Sequence, residues 1–187
     1  MAKQRRNAKS VNCLTHFAVD KASGLSLLSQ WIFVERSGPV GVLRGNAPAK
    51  IDDKGRLKVP NAFRAVIQKE HGPDVFVTSL TGQSVRIYPM PVWVELEKRL
   101  AQVPSTNPAR QRFLDRVNFY GQVAELDAQG RVVIHSRLRD SAQITGDVDV
   151  LGQQSYLEVW NHERLVAKLS AEPFTDDDAK ALSDFGI

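Results

Sequence analysis

The sequence predicts an α+β protein built from one module written twice, with the two copies paired. Three observations lead there. The phrase IDDKGRLKVP at Ile51–Pro60 returns as LDAQGRVVIH at Leu126–His135. Short runs of alternating apolar and polar residues accompany both phrases, the period of half-buried strands. Stretches with apolar residues three and four apart follow, the period of amphipathic helices.

Residues 1–41 carry no sustained period of either kind. They hold six Lys and Arg against two Asp and Glu, which is the whole of the net charge of +4. A basic, disordered extension is expected here. A secretory signal is not, because Ser29 and Gln30 break the apolar run Leu25–Val34 and no small-residue cleavage pattern follows it.

The first copy opens with an alternating strand over residues 47–51. Asp52 and Gly55 then bound a turn: Asp bonds its own downstream backbone, and Gly supplies a positive φ. Past the turn, Leu57 and Val59 point one way while Arg56 and Lys58 point the other. Pro60 begins a helix with Phe63, Val66 and Ile67 on one face, and Gly72 ends it. Strands are expected near 74–79 and 84–88. A helix over residues 91–103 sets Trp93, Leu96, Leu100 and Val103 on one stripe. Asn107 and Pro108 supply an N-cap and a first-turn proline for a helix over 108–119, whose apolar residues are Phe113, Leu114 and Val117.

The second copy follows 75 residues later. Asp127, Gly130 and Arg131 stand where Asp52, Gly55 and Arg56 stood. Val132, Ile134, Leu138 and Arg139 answer Leu57, Val59, Phe63 and Arg64. The two apolar sets are expected to meet in one shared core. His135 replaces Pro60 and is expected to loosen entry into a shorter helix that stops before Gly146. Strands near 147–151 and 156–160 come next, with DVDV echoing DVFV and LEVWN echoing VRIYP. A last helix starts after Asn161 with Leu165, Val166 and Leu169 apolar. The end, around Asp176–Asp178, is expected to be frayed and acidic. The segments divide as 1–41, a first module at 46–92, helices at 93–120, a second module at 121–164 and a C-terminal helix and tail at 165–187.

Composition bounds the function. With 187 residues there is room for one substantial domain or two small ones. No apolar run approaches the length of a membrane span, so no membrane partner is expected. The single cysteine, Cys13, cannot form an internal disulfide, which fits a reducing compartment. Charge is segregated along the chain. Residues 42–140 hold sixteen basic and ten acidic groups; residues 141–187 hold three and nine. Basic surface for a polyanion therefore belongs to the first two thirds, and the acidic end could serve a protein partner.

Enzyme chemistry is not indicated. His16, His71, His135 and His162 are scattered without metal-like spacing. No phosphate loop or dinucleotide glycine pattern occurs, and no cofactor or metal is expected. Asp52 and Asp127 read as organisers of their own turns rather than as a carboxylate pair. Two compatible roles fit the repeated arginine. Arg56 and Arg131 could each bridge to the Asp four residues earlier, or offer an exposed guanidinium to a phosphate or a guanine edge. Lys50, Lys54, Lys58 and Arg64 surround Arg56, whereas Ala128 and Gln129 replace Asp53 and Lys54 in the second copy. The basic face is thus expected to be stronger in the first copy.

The segments RGNAPAKIDDKGRLKVPNAFR, IYPMPVW, LDAQGR and LEVWN, with Asn107-Pro108 between the copies, closely resemble the MraZ family of bacterial transcriptional regulators. The likeness runs from Val42 to Leu169. It implies two tandem SpoVT-AbrB modules, swapped-hairpin β-barrels with peripheral helices, folded as an internal pseudo-dimer. It also implies a ring-forming homo-oligomer in the cytoplasm and nucleoid. Such a ring would bind direct repeats of double-stranded DNA in its own upstream region and repress the division and cell-wall gene cluster. Arg56 is the implied principal DNA contact, at the tip of a β-hairpin, with Arg131 as its weaker echo. Lys54, Arg44 and Lys58 are expected to position phosphates. The alternative is a ring-forming protein-interaction scaffold without specific DNA binding. Val42-Leu43-Arg44-Gly45-Asn46 sits where family members begin, and valine is one reading of a GTG start codon. Residues 1–41 are then either upstream DNA read from a mis-assigned start or a genuine basic arm that adds non-specific DNA affinity.

Overall fold

The computed structural model describes residues 41–187, so the expectations for the basic extension lie outside the described residues. The first copy contributes β1 (Leu43–Ile51), β2 (Arg56–Lys58), α1 (Asn61–Glu70), β3 (Asp74–Thr78), β4 (Val85–Pro89) and α2 (Met90–Ala101). Helix α3 (Pro108–Phe119) leads into the second copy: β5 (Gln122–Glu125), β6 (Arg131–Val133), α4 (Ser136–Ala142), β7 (Gly146–Gln154), β8 (Leu157–Asn161) and α5 (His162–Ala171). Helix α6 (Asp176–Ser183) follows.

The eight strands form one sheet in the order β5-β3-β4-β8-β7-β1-β2-β6, so the two copies are interleaved. Each copy's first strand adds to the other copy's third strand. β1 runs antiparallel to β7 from Leu43↔Gln154 to Ile51↔Gly146, and β5 runs antiparallel to β3 from Asp74↔Glu125 to Val77↔Gln122. Like strands also meet, β2 with β6 and β4 with β8. This is the pairing of a two-fold dimer written on one chain. The ends of the order, β5 and β6, flank a single turn across which the Asp127 N–H donates to the Arg131 carbonyl at 2.9 Å. The sheet therefore nearly closes into a barrel, which leaves little open strand edge.

The inward positions of both copies fill one core. Leu57, Ile67, Val75, Val77, Val132, Leu138, Val150 and Val159 are fully buried, with Val59, Phe63 and Ile134 nearly so. Each such aliphatic side chain contributes roughly 1.5–3 kcal/mol relative to exposure. Neither copy encloses this core without strands from the other. A second cluster lies under α2 and α3, where Trp93 stacks on Phe76 with ring centroids 4.1 Å apart and Tyr88 and Val117 are buried.

Several local expectations are corrected. β1 starts at Leu43 rather than near residue 47, because β7 pairs with it over its whole length. α2 ends at Ala101, short of Val103. His135 (φ −60°, ψ 151°) holds nearly the same conformation as Pro60 (φ −54°, ψ 139°), so helix entry is not loosened. α4 is short because Gln143 turns left-handed at φ 52°. The C-terminal end is helical rather than frayed: Thr175 and Asp178 form a capping box, and three aspartates sit in the first turn of α6 where the helix dipole favours them. α6 nevertheless buries no side chain, and Val166 and Leu169 of α5 are largely exposed. No helix among the described residues is long and apolar enough to cross a membrane.

Candidate nucleic-acid interface

Both repeated phrases fold into the same turn. Asp52 Oδ1 accepts the backbone N–H groups of Lys54 at 3.0 Å and Arg56 at 2.9 Å; Asp127 Oδ1 accepts those of Gln129 at 2.9 Å and Arg131 at 2.8 Å. Gly55 and Gly130 donate back to the Asp52 and Asp127 carbonyls, each at 2.8 Å. Both glycines have positive φ, 75° and 73°, where a side chain would be strained.

Each arginine then folds onto its own aspartate. Arg56 Nε donates to Asp52 Oδ2 at 2.7 Å, and Arg131 Nε to Asp127 Oδ2 at 2.8 Å. The Arg56 backbone N–H is the main reason that the Asp52 carboxyl lies below the usual carboxylate range. Partial desolvation opposes this, and the guanidinium adds to it. Asp127 is lowered in the same way, first by the Arg131 backbone N–H. The arginines are thus held by a salt bridge rather than projecting freely from the hairpin tip. Side-chain exposures of 31% for Arg56 and 26% for Arg131 still leave part of each side chain at the surface.

The β2–β6 ribbon sorts these groups by face. Leu57 and Val132 are register partners and point into the core. On the outer face Arg56 lies opposite Val133, and Lys58 lies opposite Arg131. Directly opposed residues of an antiparallel pair share a face, so the ribbon presents Arg56, Lys58 and Arg131 on one side.

The two copies also exchange contacts around the turns. Val59 N–H donates to the Gly130 carbonyl, and Ile134 N–H to the Gly55 carbonyl, both at 2.9 Å. Arg64, in the first turns of α1, lies over Gly130 and donates from Nη2 to the Ala128 carbonyl at 2.9 Å. Arg139 of α4 lies over Gly55, and its buried Nε has no hydrogen-bond partner among the described residues. A cleft of about 260 Å³ beside it is lined by Asp52, Asp53, Arg139, Ile144 and Thr145.

This exchange changes the expected charge asymmetry. The Asp52 turn gathers Lys54, Arg56 and the second copy's Arg139, next to Asp52 and Asp53. The Asp127 turn gathers Arg131 with Lys58 and Arg64 of the first copy, next to Asp127 alone. Cations counted with the first copy in the sequence thus serve the second copy's turn. Lys54 and Lys58 are exposed. Lys50 is engaged by Asp147 at 3.2 Å. Arg44 is not brought to this cluster: it pairs with Gln153 near the far end of β1, roughly 24 Å of extended strand from the turn. The sequence groups Arg64 with Arg56 and matches Arg139 to Arg64 across the repeat, but it does not show that each lies over the other copy's turn. Among the described residues, no group of three His, Cys, Asp or Glu side chains could hold a metal ion.

The family model described as "MraZ protein, putative antitoxin-like" matches the chain twice, over residues 42–116 and 121–185. A protein of Acidobacterium capsulatum named "Transcriptional regulator MraZ" is 50% identical over 146 residues, 78% of this chain and all of the relative. One of the same name from Koribacter versatilis is 49% identical over 147 residues, with the same coverage. Another from Herpetosiphon aurantiacus is 38% identical over 141 residues, 73% of this chain and 94% of the relative.

Proposed function

Because this chain belongs to the MraZ family, we propose that it is a DNA-binding transcriptional regulator that reads its operator with the outer face of the β2–β6 ribbon and the two turns beside it. Its relatives are named as transcriptional regulators, not enzymes, which agrees with the missing catalytic and cofactor patterns. The observation that carries the reading is the reciprocal pair of Asp–Arg turns, with Arg56, Lys58 and Arg131 on one outer face.

A two-stranded ribbon fits the major groove of B-DNA, and an arginine there can donate two hydrogen bonds to guanine. The salt bridges to Asp52 and Asp127 fix the directions of Arg56 and Arg131 before DNA arrives, which lowers the entropy lost on binding. Lys54 and Lys58, both exposed, supply attraction to phosphates that is independent of sequence. Arg44 would contact DNA only through a stretch that extends beyond this face.

The finer assignment is a ring of several copies on direct repeats upstream of the chain's own gene, repressing division and cell-wall genes in the cytoplasm and nucleoid. The exposed apolar side chains of the C-terminal arm, Val166, Leu169, Phe174, Phe185 and Ile187, support association between copies. Several faces on one ring would then add through high effective concentration. The same arm, which is acidic, favours a second reading as a protein-interaction scaffold. Titrating a labelled duplex of the chain's own upstream DNA at increasing salt separates the two. A regulator loses affinity steeply with salt and prefers that duplex over a scrambled one; a scaffold shows no such preference.

A further inference from the structure

We infer that Arg64 and Arg139 are positioning residues of the DNA-binding face, each handed from one copy to the turn of the other. The inference rests on the DNA-binding reading of that face.

Three observations carry it. First, the contacts are crossed: Arg64 covers Gly130 and bonds Ala128, while Arg139 covers Gly55. Second, the contacts are close. A Cβ built on Gly130 would come within 2.4 Å of Arg64 Cδ, and one on Gly55 within 2.7 Å of Arg139 Cζ. A side chain at either glycine would therefore push the overlying arginine aside, besides straining the turn. Third, Arg56 and Arg131 directly follow these glycines, and their guanidinium directions depend on the turn aspartates. Fixing the Ala128–Gly130 backbone fixes where Asp127 and Arg131 point. The arrangement makes the two copies cooperate: each helix stabilises the reading arginine of its partner copy, not its own.

The two contacts are unequal. Arg64 is satisfied, with Nε on Gln68 at 3.0 Å and Nη2 on Ala128. Arg139 leaves its buried Nε without a partner among the described residues. Loss of Arg64 should therefore be felt more strongly, and through Arg131.

A double-mutant cycle on the full chain tests this, with affinity for a labelled duplex of the chain's own upstream DNA and melting temperature read on the same samples. Arg64→Ala should weaken binding roughly tenfold, a size usual for groups coupled in one network. Added to Arg131→Ala it should cost little more, whereas added to Arg56→Ala its loss should multiply. Arg64→Lys, which keeps the charge and the alkyl stem but not the planar fork, should fold normally and show the same pattern in weaker form. Arg64 losses that multiply equally with Arg56→Ala and Arg131→Ala, in either variant, would overturn the positioning role. If Arg56→Ala and Arg131→Ala both leave binding intact, the DNA-binding reading of the face fails, and this inference with it.

Discussion

Lys58 of the first copy and Arg131 of the second are register partners across β2 and β6, so this pair of neighbouring outward cations spans the two copies. Lys58→Ala should therefore weaken DNA binding through the Arg131 face. The loss should be similar for operator and scrambled duplexes, and the slope of log affinity against log salt should flatten by about one. Lys54→Ala, at the other turn, should behave alike. Both lysines are exposed, so melting temperatures should stay within a degree or two. A loss confined to the operator would mean that these lysines read bases.

Phe63 lies in the core shared by both copies and is 5% exposed. Phe63→Ala should cost about 3–5 kcal/mol of stability, as truncation of a core aromatic does. Chemical denaturation measures it. Unfolding should remain a single transition, because strands of both copies enclose the same side chains; two separate transitions would show that the copies fold independently.

Gly130 combines a φ of 73° with the close approach of Arg64. Gly130→Ala should be destabilising by about 1–3 kcal/mol from backbone strain alone. Combining it with Arg64→Ala should recover part of that loss by removing the neighbour the new methyl group meets. A thermal melt of the two variants side by side shows whether it does.

Asp52 and Asp127 have their carboxyls lowered in the folded chain. A lowered folded value means that the unfolded chain binds protons more readily. Their contribution to stability is therefore complete above the unfolded carboxylate range, near 3.9, and is lost as pH falls below it toward the folded values. At neutral pH it should be insensitive to small changes. Asp52→Asn with Asp127→Asn should flatten stability against pH in that acid window, as pH-dependent melts can determine.

Much of the fold was legible because local rules decided it. The Asp–Gly turns, the alternation at Arg56–Val59 and the Asn107–Pro108 helix start all depend on residues within a few positions of one another. The duplication itself announced that two copies pair. What local rules could not show was which strand meets which. The extension of β1 to Leu43 depends on β7, about a hundred residues later. The ownership of Lys58 and Arg64 follows from the β2–β6 register and not from sequence distance. At the end of the chain the expectation of fraying rests on net acidity, whereas Thr175 and Asp178, three positions apart, carry the capping-box signature of a helix start. At the site, the Asp–Arg bridge was one of two roles left open. The structure shows the bridge while leaving each arginine side chain partly exposed.

The central claim is that the two arginine turns of one chain together form a single DNA-reading face. Its most direct test measures duplex affinity and oligomer size on one sample of the Arg56→Ala, Arg131→Ala double variant, using the chain's own upstream DNA. Each arginine that reads a base should contribute roughly 1–3 kcal/mol per binding face. The account predicts loss of preference for that duplex over a scrambled one, with oligomer size unchanged. A folded, correctly assembled double variant that binds the upstream duplex as tightly and selectively as the wild type would contradict it.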